Sequence, residues 1–180
     1  MNIFCYVESP IGRLMLTSDG AALTGLYMNL YRNKPTKLPN LSDDWVQNAT
    51  IGPLPAAMRQ LKEYFAGTRS EFDLPLKMIG SEFQQQVWRE LTKIPFGQTW
   101  SYGQLAKRIG NPNGSRAVGL ANGRNPIAII VPCHRVIGAD GSLTGFGGGL
   151  ERKEWLLTHE GYPATRALAL GDALNSGAAA

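Results

Sequence analysis

The sequence predicts an α+β fold: a small N-terminal antiparallel sheet plus a helix, then a helical C-terminal domain with a helix-turn-helix and a candidate reactive cysteine. Three observations predict it. Residues 3–28 are short runs of β-formers separated by turn residues. From residue 54 onward apolar residues recur at helical spacing instead. Two Ser-x-x-Gln capping boxes, at Ser81 and Ser101, mark helix starts in the second half. Strands grouped first and helices grouped later indicate segregated α+β layers, not an alternating α/β sheet.

Taken in order, residues 3–7 form a first strand, and Ser9, Pro10, Ile11 and Gly12 form a turn. Residues 14–17 make a second strand, followed by the turn at Ser18, Asp19 and Gly20 and a third strand over residues 23–28. Residues 29–52 are polar and rich in Pro and Asn, and no element is expected there. Leu54, Met58, Leu61 and Phe65 then form one helical stripe behind Pro53 and Pro55, with Gly67 as its stop. In the second half, Phe83, Val87, Trp88 and Leu91 follow the first capping box, and Pro95, Phe96 and Gly97 end that helix. The second box starts a short helix carrying Leu105, Ala106 and Ile109, which stops at Gly110. Ser115 is positioned to cap a third helix bearing Ala117, Val118 and Ala121. Residues 127–131 read as a five-residue buried strand ending at Pro132 and Cys133. A Gly-rich loop around Phe146, Gly147 and Gly148 leads to a last helix over residues 151–160, stopped by Gly161.

At 180 residues and 43% hydrophobic composition the chain can bury a packed core as one large domain or two small ones. We place the division between an N-terminal domain at residues 1–78 and a second domain at 79–163, with a flexible tail at 164–180. The N-terminus lacks the basic region and long apolar stretch of a signal peptide, and the longest apolar run of the second half, residues 127–131, is too short to span a bilayer. These features read as a soluble, cytoplasmic protein. Two cysteines, Cys5 and Cys133, are too few for a disulfide scaffold, and with two histidines and no Cys-x-x-Cys they do not make a zinc site. No metal or cofactor is expected.

Net charge is +4, a mild hint of an anionic partner. Its distribution says more. Residues 92–139 carry six basic side chains (Lys93, Lys107, Arg108, Arg116, Arg124 and Arg135) and no Asp or Glu. Alone, such a stretch is more often a solvated face than a nucleic-acid site. Here it coincides with two short helices joined by a Gly-containing turn, and Arg116 and Arg124 flank the second helix, a combination that favours DNA.

Cys133 follows a proline and precedes His134 and Arg135. A thiolate is the reactive form of cysteine, and proton-accepting or cationic neighbours favour it. A Cys-His neighbour pair is weak evidence by itself, because most buried cysteines are inert, and consecutive side chains on a strand point apart. Glu160 is a second anomaly, since an acid in the last turn of a helix faces the negative end of the dipole. Either it is exposed and the cost is tolerated, or it orients His134 in a Cys-His-Glu relay.

The stretch from Asn125 through Pro126, Pro132, Cys133, His134, Arg135 and Val136 resembles the signature of the O6-alkylguanine-DNA alkyltransferases. The resemblance extends through Ser101-Tyr102, Arg116-Ala117-Val118-Gly119, Gly147-Gly148-Gly149 and the run from Lys153 to Gly161, and so covers residues 81–161 in order. The N-terminal half is similar only in size and element order, where the family has a ribonuclease H-like domain. Zinc ligands that some members carry near the N-terminus have no counterparts here, because Cys5 stands alone.

The resemblance implies an activity: irreversible, stoichiometric transfer of an alkyl group from O6-alkylguanine, with O4-alkylthymine as a further candidate, onto Cys133. It implies that His134 is the base acting through a bridging water, that Glu160 orients it, and that Asn125 braces the turn. Tyr102 resembles the residue that rotates the 3′ phosphate and donates a hydrogen bond to the leaving guanine. Arg116 resembles the finger that fills the space of a flipped nucleotide. Ser101, Tyr102, Ala117, Gly119, Asn122, Gly123, Arg124 and Arg135 are implied DNA contacts, through the minor groove of duplex DNA and by a monomer. Val136, Phe146, Gly147 and Gly148 are implied walls of the base pocket. Phe146 stands where a tyrosine is common, and Gly147 where some members have serine. Two other readings compete. A cysteine hydrolase would turn over many substrates, whereas a non-enzymatic damage sensor would lack the acceptor cysteine that this chain has.

Overall fold

The computed structural model describes residues 1–28 and 41–163. The N-terminal strands form as expected: β1 (Asn2–Val7), β2 (Leu14–Ser18) and β3 (Leu23–Met28) pair antiparallel, with Cys5 opposite Leu16 and Leu16 opposite Leu26. All five residues of β2 are buried, as befits a strand with a neighbour on each side and cover on both faces. Its two hydroxyls do not go unpaired. Thr17 Oγ1 lies 2.9 Å from Thr24 Oγ1, and Ser18 Oγ donates to the Ala22 carbonyl.

One strand departs from expectation. β4 (Trp45–Gln47) lies within the stretch where no element was expected and pairs parallel to β1, completing the order β3-β2-β1-β4. Three residues carry too little pattern to announce a strand, and this one exists through a partner more than forty positions away. The remainder of that expected loop, residues 29–40, and the expected tail at 164–180 lie outside the described residues.

α1 (Leu54–Phe65) covers the sheet, burying Leu54, Ala57, Leu61 and Tyr64. The buried stripe is thus rotated about one residue from the expected one, leaving Met58 and Phe65 only partly covered. The free edge of β3 is closed by two later segments. Leu23 exchanges backbone hydrogen bonds with Pro75 and Lys77, and Leu26 N donates to the Pro126 carbonyl at 2.9 Å. That second contact docks the loop before Cys133 directly onto the N-terminal sheet.

The helices of the second half begin where their caps predict. α2 (Glu82–Leu91) and α3 (Tyr102–Arg108) both have complete capping boxes, Ser81 with Gln84 and Ser101 with Gln104. α4 (Ser115–Gly123) differs: its N-cap is Gly114, and Ser115 is already inside the helix. α4 packs on α2 and α3, and the Trp88 indole donates to the Ala121 carbonyl at 2.8 Å. β5 (Trp100–Ser101) pairs parallel with β6 (Val136–Ile137), which ties the start of α3 to the segment after Cys133. α5 (Leu150–His159) is the last element among the described residues, with Glu160 as its C-cap.

Residues 127–131 are a correction. They are largely buried, as expected, but only Ile127 bridges to a strand, and the chain then turns tightly. Ile130 N bonds the Ala128 carbonyl and Val131 N the Ile127 carbonyl, with Ile129 at φ 71°. A β-branched residue in that region is strained, and it sits four positions before Cys133. A buried apolar run satisfies its periodicity equally well as strand or as turn. The docking on β3 decides.

Candidate active site

The turn is clipped by a side chain. Asn125 Nδ2 donates to the Val131 carbonyl at 2.7 Å while its Oδ1 accepts from Ile127 N at 3.0 Å, so one amide holds both ends. Asn125 also hydrogen-bonds the Cys133 thiol. The chain leaves the turn through Pro132 into a single 3₁₀ turn, Cys133–Arg135. In that turn the side chains do not follow a strand's alternation. Cys133 borders a cavity, while His134 and Arg135 are both directed to Glu160.

Glu160 is the electrostatic centre. Its Oε1 lies 2.8 Å from His134 Nε2 and accepts from Arg135 Nη2 at 3.0 Å and from the Tyr64 hydroxyl at 2.7 Å. Its Oε2 accepts from Arg135 Nε at 2.7 Å and from Gly97 N at 3.4 Å. Burial pushes this carboxyl upward, but the His134 and Arg135 interactions outweigh it and hold it far below the usual carboxylate range. Glu160 is therefore an anion that only accepts. The proton shared with His134 must sit on Nε2, which leaves Nδ1 as a lone pair. That Nδ1 is buried and has no protein hydrogen-bond partner among the described residues. His134 itself is pushed below its usual value, first by burial and against the pull of Glu160, so it is neutral.

Burial raises the Cys133 thiol, opposed by the Asn125 hydrogen bond, the charge of Lys153 and the backbone N–H groups of Cys133 and His134. Lys153, on α5, is fully buried; its Nζ donates to the carbonyls of Val136 at 2.5 Å and Thr144 at 2.7 Å. Desolvation brings it down to about 8, against the attraction of Cys133. With Arg135 and Lys153 positive and Glu160 negative, the cluster carries one net positive charge beside a neutral thiol and becomes neutral once Cys133 ionises. Thiolate formation balances the site.

A cavity of about 580 Å³ opens beside Cys133. Its walls are the end of β3 at Leu26, Tyr27 and Met28, residues 122–126, and the loop at Gly145, Phe146, Gly147 and Gly148. Tyr102 secures that loop from α3, its hydroxyl donating to the Thr144 carbonyl at 3.0 Å. Lys153 holds the same carbonyl.

The fold brings together Cys133, His134, Glu160, Asn125, Tyr102, Phe146, Gly147 and Gly148 as expected. Arg116, Ala117, Gly123 and Arg124 are exposed on α4, and Gly119 is partly exposed there beside the Tyr102 ring. Three expectations need correction. Arg135 is not a surface contact: it is 6% exposed, its guanidinium taken up by Glu160 and the Ile94 carbonyl. Val136 is fully buried in the core and is not among the cavity-lining residues; its carbonyl is the part that matters, as a Lys153 acceptor. Asn122 is 3% exposed and faces the cavity and the Cys133 carbonyl, not the outer face of α4. Ser101 uses its hydroxyl to cap α3.

The acid-free window is also less basic in space than in sequence. Glu90 pairs with Arg108 at 2.7 Å and Lys93 at 2.6 Å, and Arg135 is spent on Glu160. Lys107, Arg116 and Arg124 remain as exposed cations without ion pairs among the described residues. Lys153 and Tyr64 were not singled out from sequence. A signal existed for the first: Lys153, Leu157 and Glu160 fall at i, i+4 and i+7, so two charged residues occupy the buried face of α5.

The family model of the 6-O-methylguanine DNA methyltransferase ribonuclease-like domain matches residues 3–78, and that of the DNA binding domain matches residues 82–162. The chain belongs to the 6-O-methylguanine DNA methyltransferase family. Among its relatives, the methylated-DNA–protein-cysteine methyltransferase of Methanosarcina acetivorans is 52% identical over 158 residues, covering 88% of this chain and 97% of that protein. The protein of the same name from Mycolicibacterium paratuberculosis is 50% identical over 166 residues, 92% of this chain and 96% of the other. A solved structure of Mycobacterium tuberculosis OGT in complex with DNA is 49% identical, with a TM-score of 0.78 over 88% of this chain and 92% of that one. No helix among the described residues is long and apolar enough to cross a membrane.

Proposed function

We propose that this chain repairs DNA by direct reversal, moving the alkyl group of O6-alkylguanine irreversibly onto Cys133. Family membership supplies the reaction class, a methylated-DNA–protein-cysteine methyltransferase. The single observation that carries the residue assignment is the unpartnered Nδ1 of a buried, neutral histidine whose other nitrogen is fixed on Glu160, next to a cysteine bordering a cavity.

In this mechanism the Cys133 proton passes through a bridging water to His134 Nδ1. The sulfur lone pair forms the S–C bond as the C–O6 bond breaks, and its electron pair stays on the guanine. The proton carried by His134 is finally returned to the departing base, which leaves as neutral guanine. In this reading Tyr102 turns its one hydroxyl proton from the Thr144 carbonyl to that base. The thioether is stable, so one molecule repairs one lesion. Asn125 keeps the turn closed, and the loop at Phe146, Gly147 and Gly148 encloses the base.

A base inside a duplex cannot reach a buried sulfur and must be flipped out, at a cost of a few kcal/mol. The exposed face of α4 supports this reading, with Arg116 as the side chain that fills the gap and Gly119 and Gly123 permitting close approach to the backbone through the minor groove. We infer that the protein acts as a cytoplasmic monomer, and that residues 79–163 carry binding and chemistry while 1–78 supply one wall of the cavity. A cysteine hydrolase is disfavoured by the family match, whose relatives are named as methyltransferases.

The test is incubation with duplex DNA carrying radiolabelled O6-methylguanine. Label should appear stoichiometrically on wild type, while Cys133→Ser should take up none yet keep its affinity for undamaged duplex. Repeated turnover, or transfer by the serine variant at near wild-type rate, would remove Cys133 from this role.

A further inference from the structure

We propose that Tyr64, at the end of α1 in the N-terminal half, is a positioning residue for the transfer: its hydroxyl fixes the Glu160 carboxylate and shares its charge, and so sets the basicity of His134. The inference rests on the alkyl-transfer reading above. Tyr64 is fully buried, and its hydroxyl lies 2.7 Å from Glu160 Oε1 across 96 positions of sequence. Its ring packs edge-on or tilted against Phe65, Phe72, Phe96 and His159, with centroids 5.1–6.2 Å away. Phenylalanine would serve such a cluster equally well, so the hydroxyl calls for its own explanation.

That explanation lies in which oxygen it chooses. Oε1 is the oxygen facing His134 Nε2, and it also receives Arg135 Nη2. Donors on one oxygen compete for the same electron density, so the Tyr64 bond weakens the pull of Glu160 on the His134 proton. Burial first, and then Glu160, push the Tyr64 hydroxyl far above its usual value, so it donates at every pH at which the fold survives. The charged groups that act on His134 are Glu160 from the end of α5, its neighbour Arg135, and Lys153 from α5. Tyr64 acts through the first of these. Its position is secured by α5 as well, because His159 Nε2 bonds the Tyr64 carbonyl at 2.7 Å and the His159 ring stacks on Trp155. The N-terminal half therefore reaches the reacting group along two routes, the β3 wall of the cavity and this hydroxyl.

Tyr64→Phe removes only the oxygen. Glu160 then draws harder on His134, the protonated imidazole is favoured, and the acid limb of the rate profile, where His134 loses its lone pair, moves to higher pH. The experiment measures single-turnover alkylation of Cys133 by free O6-benzylguanine against pH, in full-length wild type, Tyr64→Phe and Phe72→Leu, with thermal melting alongside. Phe72 packs on the Tyr64 ring without touching Glu160, so its variant reports packing alone. Loss of a hydrogen bond to a charged group predicts a plateau rate about tenfold lower and a limb raised by about half to one pH unit in Tyr64→Phe. Phe72→Leu should melt earlier with its limb unmoved.

The proposal is overturned if Tyr64→Phe keeps both rate and limb, or if the two variants slow only in step with their melting temperatures. NMR of the His134 ring nitrogens in the same samples keeps this distinct from the reaction itself. Failure of wild type to alkylate Cys133 would remove the transfer reading. An unchanged Nε2 resonance in Tyr64→Phe would remove the Tyr64 role whatever the transfer result.

Discussion

Arg135 and Arg116 belong to the same acid-free stretch of sequence, yet one is buried against Glu160 and the other stands open on α4. The comparison extends to their surroundings. Around Cys133, ionisable groups are taken out of water and made to satisfy one another, so each shifts the next. On α4 the cations keep their hydration and remain available to a partner. Burial makes charge a matter of geometry and acid strength, while exposure leaves it long-ranged and sensitive to salt. One protein needs both, because a lesion must first be found on a polyanion and then met by a sulfur set among buried groups.

The most severe way to break the buried side of this contrast is Glu160→Gln. It leaves Arg135 without its anion and turns an acceptor toward His134 into an amide. Removing one member of a buried ion pair costs about 3–5 kcal/mol, which for a chain of this size lowers the melting temperature by roughly 10 °C. Transfer to Cys133 should be lost even from free O6-benzylguanine. A variant that melts with wild type and alkylates at full rate would show that the cluster is not what readies the sulfur.

The same cluster predicts the pH dependence of stability. His134, ordinarily near 6.5, is held neutral in the fold, so below that pH the unfolded chain binds a proton that the folded chain does not. Stability should therefore fall as pH drops through 6.5. Glu160, depressed below its usual 4.5, adds a loss of the same sign below that value. Urea melts of wild type and His134→Gln from pH 8 to 4 check this, with the variant lacking the first decline. Parallel curves would place the acid sensitivity elsewhere.

On the exposed side, Arg116→Ala separates flipping from chemistry. Loss of a plug comparable to the unstacking energy slows repair of O6-methylguanine in duplex DNA by about 10–100-fold, while the reaction with free O6-benzylguanine and the melting temperature stay close to wild type. Single-turnover rates on both substrates at saturating concentration decide it. Equal losses, or full recovery at saturating DNA, would sink the finger assignment.

The smallest effect is the most quantitative. Six cations in sequence reduce to three unpaired ones in space, so log affinity for undamaged duplex should fall with log salt at a slope of about −3, not about −5. Anisotropy titrations across salt concentrations read it directly. The steeper slope would mean that Lys93 and Arg108 leave Glu90 on binding.

Much of this was legible from local pattern. The capping boxes at Ser81 and Ser101 placed two helix starts, because a cap is satisfied within four residues. Cys133, His134, Asn125 and Glu160 could be named as a group only through family resemblance, since 26 positions separate His134 from Glu160. What local pattern misread was decided by docking. Residues 127–131 have a strand's composition but a turn's conformation, because Leu26 holds one end and Asn125 both.

By itself, then, the sequence determined where α2 and α3 begin, that apolar residues recur at helical spacing from residue 54 onward, and which cysteine has the neighbours of a nucleophile. These depend on contacts a few residues long. Only the tertiary structure decided that Arg135 belongs to the interior, that Lys153 is buried against the Val136 and Thr144 carbonyls, and that Tyr64 shares an oxygen with His134. Whether a side chain is a surface charge or a buried partner depends on what a distant segment presents to it, and the cost of burying an unpaired charge selects the arrangement in which every one is met.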